Sequence, residues 1–478
     1  MGLMKELRHC LSEYVPAMLE AIAHGWGVAI GASGEKADIV EALASRMLSR
    51  EAVASQVSGL SLQETQALGL VAAQGIIPAN RLTRQFGEVR RFGPARLAQI
   101  KPWLEPVSAT ERLWYLGLIC QGYEVITYPA VPYEYRGLAY FIPPDLLALL
   151  PPLPVAQPEF RMETCPPPEQ ELGDETALPR DVLAILSYLR REKVVVKSGP
   201  YLTRQDIASL RPRLTDDNEG RLLFLQRLIQ RAGLLRREGG LLKPSLKARE
   251  WLQARPANRA RLLYEAWRDD RGWNELVHIP SLLFQDAGWH NDSRLARQKV
   301  LEHLRHATPG VWYTLNSFVQ AIKQVDPDFL RPDGDYDSWY IRDAASKRQL
   351  IGFENWEQVE GALIAHLMTG PLLWLGMIHL GESSGRAGFA FSLTALGSAR
   401  LESPGAAMPD LPERPVVIQA DFTVIAAREA NLYDRYQLER FADGEGQGAA
   451  TIYRITDRSI WRGLQAVSYT HLTLPTNR

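Results

Sequence analysis

The 478-residue chain is 46% hydrophobic and 23% charged, the make-up of an ordinary folded protein, which excludes disordered and collagen-like classes. It is too long for one core and predicts roughly three or four domains. The net charge of −1 hides an asymmetry, because residues 180–261 hold 19 Lys and Arg against 8 Asp and Glu, a local field suited to polyanions or a solvated arginine-rich surface. Cys10, Cys120 and Cys165 are widely spaced with no CxxC pair, which argues against a disulfide framework or zinc ribbon and fits a reducing cytoplasm. No apolar run reaches the length of a membrane span, and the N-terminus has no signal-peptide pattern.

In chain order, Gly27-Val-Ala-Ile-Gly-Ala-Ser-Gly34 followed by Lys36 superficially resembles a phosphate loop. Glu35 separates the last glycine from the lysine and Ala37 replaces the hydroxyl residue, so the segment reads as a loop before a helix from Lys36 to Leu48. Helices follow at Ser61 to Gln74, Pro78 to Phe86 and Thr110 to Gln121, then strand-like runs at Glu124 to Val131 and Leu138 to Ile142, joined by Pro132 to Gly137. Three helices and a hairpin are the order of a winged helix.

Residues 151–179 combine eight prolines with six acidic residues and read as an extended linker between two lobes. The helical order then returns at Arg180 to Arg191, Thr203 to Leu210 and Gly220 to Ala232, with a hairpin from Leu234 to Leu242 turning at Glu238-Gly239-Gly240. A third copy comprises Arg294 to His306, Thr314 to Gln324, Trp356 to Met368 and a hairpin of Leu372 to His379 with Gly388 to Phe391. Each hairpin exits into Pro or Thr and a leucine-bearing helix, so the chain is a domain-sized quasi-repeat.

The predicted fold is α+β and predominantly helical: tandem winged helices followed by a small α+β domain. The boundaries are 1–150 for an N-terminal helical region with the first winged helix, 151–179 for the linker, 180–262 for a second, basic winged helix and 263–401 for a third with a helical lead-in. A second linker spans 402–414 and the small domain 415–466, with paired strands at Pro415 to Gln419 and Phe422 to Ala426, a helix at Ala430 to Ala442, a strand at Thr451 to Ile455 and a helix from Asp457.

Catalytic patterns are not found. Beyond the failed phosphate loop there is no acidic helicase box and no Ser/His/Asp set, and His303 with His306 lacks an HExxH or carboxylate partner. No cofactor or metal is expected, and the tryptophans read as core or seam packing. A winged helix commonly sends its third helix into the major groove and its hairpin to the backbone. The candidate nucleic-acid contacts are therefore Arg204 on the second helix, Arg221, Arg227 and Arg231 on the third, and Arg236, Arg237 and Lys243 on the hairpin.

Lys101-Pro-Trp-Leu-Glu-Pro-Val-Ser-Ala-Thr-Glu-Arg-Leu-Trp-Tyr-Leu-Gly-Leu118, with Leu82-Thr-Arg-Gln-Phe-Gly87 before it, resembles bacterial helicase-associated proteins carrying an XPB-type N-terminal domain. Val417-Ile-Gln-Ala-Asp-Phe-Thr-Val424, Leu438-Glu-Arg-Phe-Ala442 and Tyr453-Arg-Ile-Thr-Asp-Arg-Ser459 resemble the same family, in a unit similar to the damage-recognition region that precedes the motor of XPB-type repair helicases. The resemblance implies DNA binding or helicase partnership and assigns no catalytic residue. From Val467 the chain reads Val-Ser-Tyr-Thr-His-Leu-Thr-Leu-Pro-Thr-Asn-Arg478, which resembles a translated transposase adapter, so 467–478 is expected to be a non-native tail on a truncated domain. The expected function is that of a non-catalytic, cytoplasmic DNA-binding accessory or regulatory protein of low sequence specificity, linked to a repair helicase. The alternatives are a scaffold that recruits a helicase or other partner without touching DNA, and a nuclease or ATPase subunit whose catalytic residues carry no motif.

Overall fold

The computed structural model describes residues 5–29, 35–128, 133–154, 158–195, 201–216, 218–284, 291–383, 388–402, 412–445 and 450–471. The chain is mixed α and β, mostly helical with small antiparallel sheets, and forms two compact units. One comprises Met1–Glu159 with Val325–Ser338, the other Phe160–Gln324 with Trp339–Arg478. No helix among the described residues is long and apolar enough to cross a membrane.

The first unit begins with α1 (Leu7–Glu13), α2 (Pro16–Trp26), α3 (Lys36–Met47) and α4 (Arg50–Ser58). Pro16 opens α2, where its missing N–H costs nothing, and Gly27 closes it at φ 64°. After α5 (Leu62–Gln74), which starts in a Ser61/Glu64 capping box, come β1 (Ile76–Pro78), α6 (Ala79–Phe86), α7 (Pro94–Ile100), α8 (Ala109–Tyr115), β2 (Cys120–Tyr128), β3 (Tyr133–Phe141) and α9 (Pro144–Leu147). The sheet order is β1-β3-β2.

Two sequence readings change here. Pro78 ends a strand instead of starting a helix, and residues 133–137, expected as the hairpin connection, belong to β3. A Cβ at Gly137 would lie 2.5 Å from the Tyr135 hydroxyl, so that side chain would have to move for any larger residue. Residues 129–132, between the two strands, lie outside the described residues. The buried Glu111 carboxylate, inside the segment that carries the family resemblance, accepts from the Arg90 guanidinium at 2.9 Å and the Val107 N–H at 2.7 Å. It thereby ties α8 to the chain on either side of α7. Val325–Ser338 also packs in this unit, where the buried Asp328 receives Arg81 at 3.1 Å and Arg84 at 2.8 Å. The expected third module, 263–401, therefore lends an insertion to the N-terminal unit.

The second unit contains α10 (Ala177–Arg191), β4 (Val194–Val195), α11 (Arg204–Leu210), α12 (Glu219–Arg231), β5 (Leu235–Glu238), β6 (Leu241–Pro244), α13 (Leu246–Gln253) and α14 (Pro256–Arg268). Gly239 and Gly240 form the two-residue turn at φ 56° and 79°, a left-handed pair that fits glycine. Next come β7 (Leu282–Phe284), α15 (Ser293–Leu304), β8 (Trp312–Thr314), α16 (Leu315–Val325), β9 (Ile341–Asp343), α17 (Ala362–Leu367), β10 (Ile378–Glu382), β11 (Phe389–Leu393) and α18 (Ala395–Glu402). Leu372, expected to start the hairpin, instead ends a π-helical continuation of α17.

These strands form three sheets, with the orders β4-β6-β5, β10-β11-β8 and β7-β9. In all three repeats a helix leads to a short strand, two or more helices and a hairpin, and the short strand pairs with the hairpin's second strand. The short strands were not anticipated, since two or three residues carry no periodicity. The hairpin exits match as read: Ser245 caps α13, and the Thr394 hydroxyl accepts the Gly397 N–H at 2.8 Å.

The proline-rich segment is no free tether. Its amide at Cys165 donates to Trp312 on β8 at 2.9 Å, and further along Leu172 and Leu380 on β10 exchange backbone hydrogen bonds of 2.6 and 2.9 Å. Since β8 and β10 are the two edges of that sheet, one extended strap supplies partners to both. Phe160, at its start, stacks on His303 and His306 with centroids 5.2 and 4.5 Å away.

The chain continues through β12 (Val417–Ile418), β13 (Thr423–Ala427), α19 (Leu432–Leu438), β14 (Asp443–Glu445), β15 (Ala450–Arg454) and α20 (Asp457–His471), with sheet order β12-β13-β15-β14. This is the expected α+β unit with one unanticipated strand, β14. Most of the expected 402–414 linker, residues 403–411, lies outside the described residues. The backbone of α20 runs past Val467 to His471; of the expected non-native tail, 472–478 lies outside them.

Candidate nucleic-acid interface

The face of α12 that would have to enter a groove is covered. Phe224 packs against Trp273 and Trp374, with centroids 5.8 and 5.3 Å away, and α14 lies along the helix. Two of the third-helix arginines are committed to internal carboxylates. Arg221 is buried and pairs with Asp181 on α10 at 2.5 Å. Arg227 makes a bidentate pair with Asp270 at 2.6 and 2.7 Å, and Arg231 approaches the same carboxylate at 3.8 Å. Burial pushes the Asp270 carboxyl up, but Arg227 and the Gly272 N–H outweigh it and leave it below its ordinary value.

The expected contact set is therefore corrected in three places. Arg221 is a core residue, Arg227 is tied to Asp270, and Lys243 caps a helix. The Lys243 ammonium donates to the carbonyls of Leu189, Arg190 and Glu192 at 3.2, 3.4 and 3.1 Å, where α10 leaves carbonyls without helical partners. Burial lowers its pKa, opposed by Glu238 and Glu192. Arg204 and Arg237 are exposed, and Arg231 is exposed beside the seam. Arg236 is held on the surface by Glu238 at 2.8 Å.

A different group of cations comes together where the second repeat meets the C-terminal sheet unit. A groove of about 760 Å³ is lined by Arg190, Arg191 and Lys193 from the end of α10 and by Arg213, Arg440 and Arg462, with Glu192 and Asp206 as its acidic members. Arg213 also lines a neighbouring cavity of about 400 Å³, together with Arg180, Arg428 and Arg435.

Several of these arginines are braced. Arg190 lies over the Tyr436 ring at 3.9 Å and donates to its carbonyl at 2.8 Å; Arg213 pairs with Glu439, and Arg462 with Asp443 at 2.8 Å. Arg191 and Lys193 pair with no carboxylate among the described residues. Burial lowers the pKa of Arg191, with a further contribution from Arg213, and burial also lowers that of Arg190. The groove is thus a wall of positive charge whose own acids do not neutralise it.

The basic stretch at 180–261 contains Arg190, Arg191, Lys193 and Arg213 but not Arg440 or Arg462, and the expected contacts lay instead on α11, α12 and the β5–β6 hairpin. A charge count could not bring the six together, because Arg440 and Arg462 lie over 200 residues from Arg191 and share the groove with it only in the folded chain. Among the described residues, no group of three or more His, Cys, Asp or Glu stands close enough to hold a metal ion. No protein-family model matches the chain, and no curated protein matches it.

Proposed function

We propose that the chain is a non-catalytic DNA-binding accessory protein of three winged helices and a C-terminal α+β unit, and that the basic groove at the end of α10 holds the phosphate backbone. The convergence of Arg190, Arg191, Lys193, Arg213, Arg440 and Arg462 on one concave surface carries this reading. Guanidinium and ammonium groups there would replace counterions along a polyanion, giving salt-sensitive binding of low sequence selectivity. The winged-helix reading is supported by the thrice-repeated strand order, and a helicase-associated role by the family resemblance of the C-terminal segment, from which Arg440 lines the groove.

The test is fluorescence anisotropy of labelled duplex and single-stranded oligonucleotides at several salt concentrations. The expected outcome is binding at low salt that is lost in Arg191→Glu with Lys193→Glu. Unchanged affinity in that variant, or no binding at low salt, overturns the proposal. The scaffold reading has an observation of its own in the exposed apolar side chains Ile418, Phe422 and Trp461 on the C-terminal unit, 66–73% accessible.

A further inference from the structure

The buried arginines of the second unit are not alike. Arg221, Arg259 and Arg297 face Asp181, Glu413 and Glu275 respectively, as the cost of desolvating a charge requires. Arg400 on α18 is 8% exposed and pairs with no carboxylate among the described residues. One nitrogen, Nη1, donates to the Leu375 carbonyl at 2.8 Å, while Nε is buried without a partner. Burial pulls its pKa down to about 10, opposed by Tyr264 and Glu175, and burial pushes the Glu175 carboxyl toward its neutral form.

This guanidinium lines a cavity of about 340 Å³ with Arg261, Arg268 and Arg305, beside the ring of Tyr264. Arg305 donates to the Leu401 carbonyl at 2.9 Å and, like the exposed Arg261, pairs with no described carboxylate. Two of the three lining carboxylates are committed: Asp269 to Arg268 and Arg294 at 2.7 and 3.7 Å, and Glu302 to Lys299 at 3.2 Å. Glu265 is the lining carboxylate left without a paired cation among the described residues, and Glu175 adds a second negative charge near Arg400.

We propose that this cavity binds the phosphate group of a small phosphorylated molecule, with Arg400 as its buried anchor and Arg261 and Arg305 closing on it from the solvent side. Three guanidiniums from α14, from the end of α15 and from α18 present a set of N–H donors suited to a multi-oxygen dianion. The volume is that of a small-ligand pocket. The site stands apart from the groove and does not depend on DNA binding.

The experiment is isothermal titration of the full chain with inorganic phosphate, ribose 5-phosphate and AMP, on the wild type, Arg400→Leu, Arg261→Ser and the Arg191→Glu/Lys193→Glu variant. One saturable site is expected in the wild type and the groove variant, weakened about tenfold or more in Arg400→Leu and Arg261→Ser. Similar affinity for all three ligands assigns recognition to the phosphate alone, and tighter binding of AMP adds a nucleoside contact; either result supports the proposal. Arg261 is exposed, so its variant keeps the test valid if Arg400→Leu fails to fold. No saturable binding at millimolar concentration, or equal affinity in the wild type and Arg261→Ser, overturns it.

Discussion

Arg221 and Asp181 meet in the core of the second repeat, 2.5 Å apart with side chains 4% and 1% exposed. The carboxylate also accepts the Thr215 N–H and hydroxyl at 2.8 and 3.0 Å, so one residue of α10 fixes both α12 and the turn before it. Burial pushes the Asp181 carboxyl up against the opposing effect of Arg221. Removing the cation alone strands a buried charge. Arg221→Leu is expected to lower stability by about 3–5 kcal/mol, with much of the loss recovered in Arg221→Leu/Asp181→Leu. Urea unfolding of both variants measures this, and a near-neutral single variant would contradict it.

Salt dependence separates the groove from the seam. Each backbone contact removed should lower the slope of log affinity against log salt by about one. Arg191→Gln and Lys193→Gln are expected to do so. Arg227→Gln, whose guanidinium is committed to Asp270, should leave the slope unchanged. Anisotropy titrations at a series of salt concentrations read the difference directly.

His366 on α17 should make the third repeat acid-sensitive. Burial, with a smaller repulsion from His278, lowers its pKa from 6.5 to about 4. The folded value lies below the unfolded one, so its contribution is fully present above pH 6.5 and is lost as the pH falls toward 4. The size is about 3 kcal/mol at most. His366→Leu should therefore lose less stability than wild type between about pH 7 and about pH 4.5, as read from urea midpoints. Parallel losses in the two proteins would assign acid sensitivity elsewhere.

Hydrogen exchange tests the strap. The Cys165 and Leu172 amides donate to the carbonyls of Trp312 and Leu380. Both should be protected together with the β8 and β10 edges. Phe160→Ala, which removes the stack on His303 and His306, should speed exchange at Cys165 more than at residues of α10. Free exchange across the whole proline-rich segment in the wild type would support the tether reading instead.

Much of the fold is legible in the chain because its signals are local. Ser61 with Glu64, Thr203 with Asp206, and Gly239-Gly240 each satisfy their own backbone within a few residues, so caps and a turn can be read without knowing what lies nearby. The strap at 158–176 misled for the opposite reason. Prolines and acids forecast an extended chain correctly, but whether it meets solvent or a sheet edge depends on β8 and β10, more than a hundred residues away.

The sequence alone determined the repeated order of helices and hairpins, the basic stretch and the α+β character of the C-terminal unit, because helix periodicity, glycine turns and charge counts belong to contiguous residues. Tertiary structure alone decided which arginines face solvent. Arg221, Arg227 and Arg191 are the same residue type within one basic stretch, yet Asp181 claims the first, Asp270 the second, and no described carboxylate the third. Whether a charge is spent inside or left facing a groove depends on which helices pack together.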